Sequence, residues 1–110
     1  VNLVPGRIVG GVFTADGVRV DGLSGPDGDV TLGFRAEDAQ VTGQGGQVEA
    51  PIYSLELLGE SSMVSVRAGG ELVSVKASKD YQAEIGQPIS IAIQARHCHL
   101  FDRKGRRIDG

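Results

Sequence analysis

Apolar and polar residues alternate along several short segments of the chain. Every second residue is apolar in Met63–Arg67 and in Leu72–Lys76, which predicts two strands with one buried face each. The glycine-bearing stretch Ala68–Glu71 between them predicts a tight hairpin turn. Ile89–Gln94 alternates in the same way after Gly86-Gln87-Pro88. These segments predict a chain built mainly from β-strands, with little helix.

Glycine and proline residues divide the rest of the chain into further short segments. Gln40–Ala50 is polar and glycine-bearing, so we expect it to pass over the surface. The other predicted elements are, in chain order, Val1–Val4 and Arg7–Thr14 separated by Pro5-Gly6, a turn at Ala15–Gly17 leading into Val18–Val20, a loop at Asp21–Asp29, strands at Val30–Arg35 and Ile52–Leu58 (the latter largely buried), and a final hairpin of His99–Asp102 with Arg106–Ile108.

Short strands with frequent turns are typical of a small all-β barrel or sandwich. The chain has 110 residues, 17 of them glycine, a length that fits one domain with one core. The segments on either side of Gln40–Ala50 could form two intertwined lobes. We find no convincing sequence repeat between these segments, so a single domain over 1–110 is the prediction.

Composition and charge exclude several classes of protein. Hydrophobic residues make up 40% of the chain and charged residues 23%, as in a folded globular domain. The formal net charge is -3 and the charges are interspersed, which argues against a nucleic-acid-binding surface. No apolar run is long enough for a membrane span, and no signal-like amino terminus is recognised. The single Cys98 agrees with a reducing compartment.

Catalytic and nucleotide-binding motifs are absent from the sequence. No glycine is followed by lysine, so the phosphate-loop pattern G-x-x-x-x-G-K-[ST] has no match. Leu23-Ser24-Gly25 resembles the start of a transporter signature, but Pro26-Asp27-Gly28 turns the chain where that motif needs a helix. We therefore expect no catalytic residue and no bound cofactor in this chain.

The pair His97 and His99 is the only candidate for a metal site. On a strand, both side chains would lie on one face with Cys98 on the other, and no further cluster supplies the four ligands of a closed zinc site. Packing and hydrogen bonding of the last strand explain the histidines better than a metal does. No metal ligand is predicted.

Two groups of charged residues are candidates for contacts with a partner. In Arg35-Ala36-Glu37-Asp38 we expect a turn in which Arg35 pairs locally and a carboxylate accepts backbone N–H groups, with partner binding as the alternative. The cluster Arg103-Lys104-Gly105-Arg106-Arg107 is expected to be a solvated hairpin tip, with binding of an anion or an acidic partner as the alternative.

Three segments resemble those of a known family in their order and spacing. Leu32-Gly33-Phe34-Arg35-Ala36-Glu37-Asp38 resembles the "LGIRPEH" signature of the TOBE domain in the ATP-binding subunits of bacterial ABC importers, although Ala36 stands where proline is usual and Asp38 where histidine is common. Leu55–Ser62 resembles the family's strand and turn with the sequence "LG". Arg96–Asp102, followed by Gly105 and Ile108, resembles its terminal "CHLFdxxGxri" segment. Val1–Val4 resembles the entry into this domain.

The resemblance implies a carboxy-terminal accessory domain with an OB-fold-like, MOP-like β-barrel, which has a regulatory and dimerising role. The parent would belong to the carbohydrate group typified by the maltose and glycerol-3-phosphate importers, and would bind ATP and Mg in an ATPase domain that this chain lacks. It implies as partners a second copy, that ATPase domain, the membrane subunits through it and a regulatory protein, with a cytoplasmic location at the inner face of the membrane. The candidate contact residues are Arg35, Glu37, Asp38, Glu60, Ser61, His97 and His99.

Binding of an oxyanion is the alternative function. Relatives in the wider superfamily bind molybdate or tungstate in a comparable barrel. Ser61-Ser62 or Ser78-Lys79 could supply hydroxyl and ammonium donors to such an anion. The chain lacks the paired repeat expected of a molybdate module, so this function ranks second.

Overall fold

The computed structural model describes residues 1–108 and is built almost entirely from antiparallel strands. No α-helix occurs in this range; the two short helical segments are 3₁₀ turns, the first at Ala36–Asp38 and the second at Ala95–His97. The strands are β1 (Asn2–Val9), β2 (Val12–Ala15), β3 (Val18–Val20), β4 (Gly28–Phe34), β5 (Ala39–Thr42), β6 (Val48–Leu57), β7 (Ser61–Ala68), β8 (Glu71–Ser78), β9 (Pro88–Ile93) and β10 (His99–Phe101).

The strands form one curled sheet in the order β10-β4-β1-β2-β3-β6-β7-β8. Off this path, β9 pairs with both β5 and β6. Curling brings β8 into contact with β1, β5 and the first 3₁₀ turn. The all-β prediction, with an OB-fold-like arrangement of short antiparallel strands, is confirmed. Within residues 1–108, no helix has the length and apolar character that a membrane crossing requires.

The buried apolar side chains of the described residues form one cluster inside the curled sheet. Branched aliphatic residues dominate it, as the alternating pattern predicts. The largest fully buried side chains are Phe13, Phe34, Ile8, Leu32, Ile91 and Leu100.

The side chain of Asn2 closes the barrel where β1 approaches β8. Its amide nitrogen donates to the Ser74 carbonyl oxygen, and its carbonyl oxygen accepts from the Ser74 N–H, both at 2.8 Å. Asn2 is only 6% exposed. The amide therefore continues the hydrogen-bond ladder of β8 where no backbone strand pairs with Ser74 on this side.

The prediction that Pro5-Gly6 breaks the first strand is wrong. β1 runs through both residues, and the chain turns instead at Gly10-Gly11, where φ is 58° and 79°. Pro5 has a paired strand on one side only, β4, because the pairing of β1 with β2 starts at Arg7. The missing N–H of proline is therefore tolerated. Gly6 lies where another chain segment approaches closely: a Cβ there would lie 2.5 Å from the Thr14 carbonyl oxygen.

The prediction that 40–50 passes over the surface is confirmed for all of its residues except Val48, but it missed the strands within the stretch. β5 and the first residues of β6 occupy most of it, and Val48 is fully buried. The polar residues of these strands occupy the outward-facing positions. Together with the polar loop between the strands, they hid the alternation of polar and apolar residues. β9 separates β5 from β6 in the sheet and pairs with both.

The predicted strand Ile52–Leu58 exists, but it is not largely buried. β6 starts four residues earlier, and a register shift between Ile52 and Ser54 interrupts its pairing with β7. Ile52 is 2% exposed, whereas Leu57 is 68% and Leu58 50% exposed. The end of β6 extends beyond the core, and Leu57 and the following Leu58 are solvent-facing.

The two remaining hairpin predictions are confirmed. β7 and β8 pair across Gly69-Gly70, which both have positive φ as a two-residue hairpin turn requires. At the end of the described chain, Phe101 bridges to Arg107 around the turn at Lys104-Gly105. β9 is also present, and it begins and ends one residue earlier than the alternation at residues 89–94 indicates.

The structure contains an internal repeat that the sequence search missed. The unit β4, first 3₁₀ turn, β5 has the same backbone plan as the unit β9, second 3₁₀ turn, β10. The residues that precede the turns have similar dihedral angles, φ -90° and ψ 146° at Arg35 against φ -87° and ψ 137° at Gln94.

Strand pairing relates the two units by an approximate two-fold axis. β4 pairs with β10 and β5 pairs with β9, so exchanging the units exchanges the two strand pairs. The registers correspond residue by residue: Val41 opposite Ile91 matches Leu100 opposite Leu32. This arrangement makes Glu37 equivalent to Arg96 and Asp38 equivalent to His97.

Candidate functional site

The predicted contact residues fall in two different places. Arg35, Glu37 and Asp38 belong to or adjoin the first 3₁₀ turn, and His97 and His99 belong to or follow the second. Glu60 and Ser61 lie at the separate turn between β6 and β7. The structure therefore brings together the first and third of the segments that carry the family resemblance, and leaves the second apart.

The two 3₁₀ turns border a cleft of about 320 Å³, which we call the turn cleft. Polar and charged side chains provide most of its lining, and three of the predicted residues are among them. The lining residues are Glu37, Asp38, Gln40, Ala92, Gln94, Arg96 and His97.

Backbone hydrogen bonds alone hold the acidic side of the turn cleft. The Asp38 N–H donates to the Arg35 carbonyl oxygen at 3.0 Å, and the Ala39 N–H donates to Ala36. No side chain caps this turn. The expectation that a carboxylate accepts backbone N–H groups here is wrong, and so is local pairing of Arg35, because no carboxylate within residues 1–108 lies within 4.0 Å of its guanidinium.

The basic side has the same backbone bonds with different side chains. The His97 N–H donates to Gln94 at 2.9 Å, and the Cys98 N–H donates to Ala95 at 3.0 Å. Arg96 donates through Nε to the Gln94 side-chain oxygen at 2.7 Å. The Nδ1 atom of His97 is covered from solvent and has no hydrogen-bond partner within the described residues.

The expected geometry of the histidine pair is wrong. His97 ends a 3₁₀ turn and His99 starts β10, so the two side chains do not lie on one strand face. The described residues contain no group of three or more His, Cys, Asp or Glu side chains that could hold a metal ion. Cys98 is 6% exposed, and burial raises the pKa of its thiol to about 11 because the thiolate is poorly solvated there.

Sequence reasoning missed Gln40, Gln94 and Arg96 as lining residues of the turn cleft. Arg96 was considered only as one letter of the terminal motif. Aligning 32–41 with 91–100 would have identified it, because both stretches place an alanine at the start of the turn and apolar residues at matching positions. That alignment has little identity, and only the shared backbone plan makes it evident.

The turn that holds Glu60 and Ser61 has a different character. The Leu58 N–H donates to the Ser61 carbonyl oxygen at 2.8 Å across Gly59, whose φ is 86°. Glu60 is exposed, and the exposed Leu57 and Leu58 precede it. This turn presents an apolar surface with one charge rather than a polar cleft.

The basic cluster near the end of the described chain is largely ion-paired. Arg103 and Arg7 both bind the Asp29 carboxylate, Arg7 at 3.2 Å, and hydrogen bonding to Arg103 lowers the pKa of Asp29 most. Asp102 accepts from the backbone N–H of Arg106 and of Lys104, both at 2.9 Å, and the first of these contributes most to its lowered pKa. These pairs organise the hairpin tip and reduce its capacity to bind an anion.

A larger open cleft of about 760 Å³ lies beside β3 and the loop at 45–47. None of the predicted contact residues lines it. Its charged residues include Arg19 and Asp21, whose side chains approach each other to 3.6 Å. The turn cleft is smaller, but its opposite charges are not joined in this way, so it is the stronger candidate site.

Comparison with known proteins identifies the family to which the chain is similar. The family model described as "TOBE domain" matches residues 32–101, a range that contains both 3₁₀ turns and the turn between β6 and β7. The sn-glycerol-3-phosphate import ATP-binding protein UgpC of Chromohalobacter salexigens is 32% identical over 108 residues, which cover 90% of this chain and 29% of that protein.

Two further relatives carry the same name. The Burkholderia mallei protein is 34% identical over 115 aligned positions (93% of this chain, 31% of the relative), and one from Agrobacterium fabrum is 33% identical over 81 (73% of this chain, 22% of the relative). The chain thus spans less than a third of the length of each of these relatives. Because the family model covers well over half of the chain, the chain belongs to the TOBE domain family.

Proposed function

We propose that this TOBE domain is an accessory, regulatory and dimerising part of the ATP-binding subunit of an ABC importer. The solute would be a sugar or a glycerol phosphate. The subunit would lie in the cytoplasm at the inner face of the membrane. In this proposal ATP and Mg bind to an ATPase domain outside this chain, which itself performs no catalysis.

The observation that carries the proposal is the coverage of the relatives. Proteins named as sn-glycerol-3-phosphate import ATP-binding proteins match up to 93% of this chain, yet the chain accounts for 31% of such a relative. The lack of a phosphate loop in the sequence fits a chain that corresponds to the part outside the ATP-binding motifs.

Nucleotide binding provides the direct test of this division of labour. Isothermal titration calorimetry should detect no ATP binding by this chain, and micromolar affinity would refute the proposal. The complete reading frame that contains the chain should bind and hydrolyse ATP, and its disruption should abolish uptake of glycerol 3-phosphate or of a sugar. Normal uptake of a panel of such solutes after disruption would likewise refute it.

Dimerisation is the second part of the proposal. The strands at Met63–Lys76 and Ile89–Gln94 are one expected location, because a chain this small can leave apolar faces and strand edges uncovered, and β8 does end the sheet with one edge unpaired within residues 1–108. Their apolar side chains mostly face the core, and β9 has a paired strand on each side. The exposed leucines at the end of β6 are the better candidates for the contact, since burying them would remove apolar surface from water.

One observation favours oxyanion binding as the alternative. Register places Ser61 opposite Ser78, so the two predicted donor pairs meet at one end of the β7–β8 hairpin. However, Ser62 is only 3% exposed, and the Ser78 hydroxyl already accepts from the Asp80 N–H at 3.2 Å. Titration with molybdate, sulfate and phosphate tests this alternative, and saturable binding lost in Ser61→Ala would establish it.

A further inference from the structure

The internal repeat places carboxylates on one side of the turn cleft and nitrogen-bearing side chains at the equivalent positions of the other side. Glu37 and Asp38 occupy the two last positions of the first 3₁₀ turn, and Arg96 and His97 occupy those of the second. All four line the cleft. One side therefore offers carboxylate acceptors, and the other offers a guanidinium and an imidazole.

The opposite charges in the turn cleft do not form salt bridges with each other. Within residues 1–108, neither Glu37 nor Asp38 has a nitrogen of Arg96 or His97 within 4.0 Å. Arg96 instead donates Nε to Gln94, which leaves its terminal nitrogens available. Elsewhere on the surface, pairs such as Arg7 with Asp29 do meet, at 3.2 Å.

A covered atom beside this cleft also lacks a partner. Nδ1 of His97 has no solvent exposure and no hydrogen bond within the described residues. A covered ring nitrogen usually has a hydrogen-bond partner in a native protein, from the protein itself or from ordered water. Because Nδ1 has no exposed surface, a ligand in the cleft would contact the imidazole ring through its other edge.

We propose that the turn cleft binds a small zwitterion of the amino-acid type. The ammonium group would contact Glu37 and Asp38, and the carboxylate would contact Arg96 and His97. Gln40 and Gln94 can donate and accept hydrogen bonds along the side of the ligand. The volume of about 320 Å³ lies at the small end of ligand sites. This proposal does not depend on the proposed importer function.

Electrostatics favours a zwitterion over an ion of a single charge. An anion attracted by Arg96 would approach the carboxylates of Glu37 and Asp38, and a cation attracted by those carboxylates would approach Arg96. A zwitterion makes charge-assisted hydrogen bonds on both sides, which are stronger than the bonds that a neutral hydroxyl compound would make. The selectivity for ligands with both charges is thus the property to test.

Three compounds of similar size separate the contributions of the two charges. Alanine carries both charges, N-acetylalanine only the negative one and alaninamide only the positive one. In titrations followed by ¹H–¹⁵N NMR, alanine should bind with a dissociation constant of roughly 0.1–1 mM. The shifts should concentrate at Gln40, Gln94 and His97. The other two compounds should bind at least about tenfold more weakly.

Neutralising variants test whether the turn cleft is the site. Glu37→Gln and Arg96→Gln should each weaken alanine binding by about tenfold, and both positions are exposed, so folding should be retained. Glu71→Gln and Lys104→Gln change exposed charges that do not line the cleft and should leave the affinity unchanged. Equal binding of alanine and N-acetylalanine, preferential binding of glycerol or phosphate, or no saturable shift with alanine would overturn the proposal.

Discussion

At the scale of single residues, the pairing of Asn2 with Ser74 shows how one side chain can complete a sheet. The amide of Asn2 donates to and accepts from the same backbone unit of β8, at 2.8 Å in both bonds. The hydroxyls of Ser65 and Ser74 also lie 2.9 Å apart. Asn2 and Ser65 are buried and Ser74 is half-buried. Water therefore has little access to these polar groups, and their hydrogen bonds depend on one another's side chains and backbone.

Removing the Asn2 amide should destabilise the fold. Asn2→Ala leaves the N–H and the carbonyl of Ser74 without these partners, and we expect the free energy of unfolding to fall by about 1–3 kcal/mol. Urea denaturation measures this difference. Gln82→Ala, at an exposed position, is the control and should change stability by less than about 0.5 kcal/mol. Equal stability of the two variants would show that water replaces the amide.

The sequence indicated which residues could belong to a site, but not which of them lie close together in the fold. Glu37, Asp38 and His97 could be selected because charged residues stood within family motifs. Their meeting in the turn cleft depends on the pairing of β5 with β9 and of β4 with β10, and long-range pairing leaves no local signal. Arg96 was missed for this reason, and His99 was assigned to the wrong geometry because a 3₁₀ turn of three residues has no periodicity to read.

At the scale of elements, alternation predicted the strands whose inner and outer positions differ clearly. β7, β8 and β9 have one strongly apolar face, so their ends were found closely. β5 and the start of β6 were missed because each alternates over only a few residues and the glycines and glutamines at 43–47 separate them. Pro5-Gly6 was misread as a break because glycine also serves close backbone approach inside strands, and no sequence pattern separates these two uses.

The close approach at Gly6 makes a sharp prediction for β1. A Cβ added there would overlap the Phe13 ring and lie 2.5 Å from the Thr14 carbonyl oxygen. Gly6→Ala should therefore lower the free energy of unfolding by about 3 kcal/mol, since strand β2 must move. In Gly43→Ala the new methyl group meets nothing within 4 Å, and stability should change by less than about 1 kcal/mol. Thermal unfolding followed by circular dichroism compares the variants, and similar melting temperatures would contradict the close packing of β1 on β2.

At the scale of the whole molecule, the fold class could be predicted but the surface could not. Glycine spacing and alternating strands indicate a small β-barrel, and the core of the described residues is a single cluster as the chain length suggested. Which apolar residues remain outside that cluster depends on where each strand leaves the sheet. β6 extends past the core, so two leucines predicted to be buried became candidates for an interface.

Self-association should depend on these leucines. Leu57 is 68% and Leu58 50% exposed at the end of β6, and burial of a leucine side chain against a second copy contributes about 1.5–3 kcal/mol. A stable dimer needs a total interface of about 1,600 Å², so the leucines would form its apolar centre rather than all of it. In sedimentation equilibrium over a concentration series, the chain should show reversible dimerisation, weaker than in the intact subunit because the ATPase domains no longer raise the effective concentration. Leu57→Ser with Leu58→Ser should be monomeric at the same concentrations, while Leu72→Ser, which changes a leucine on β8 that is 47% exposed, should dimerise normally. A loss of dimerisation only in the Leu72 variant would return the interface to the β7–β8 hairpin, and a strictly monomeric unsubstituted chain would favour a docking role over a dimerising one.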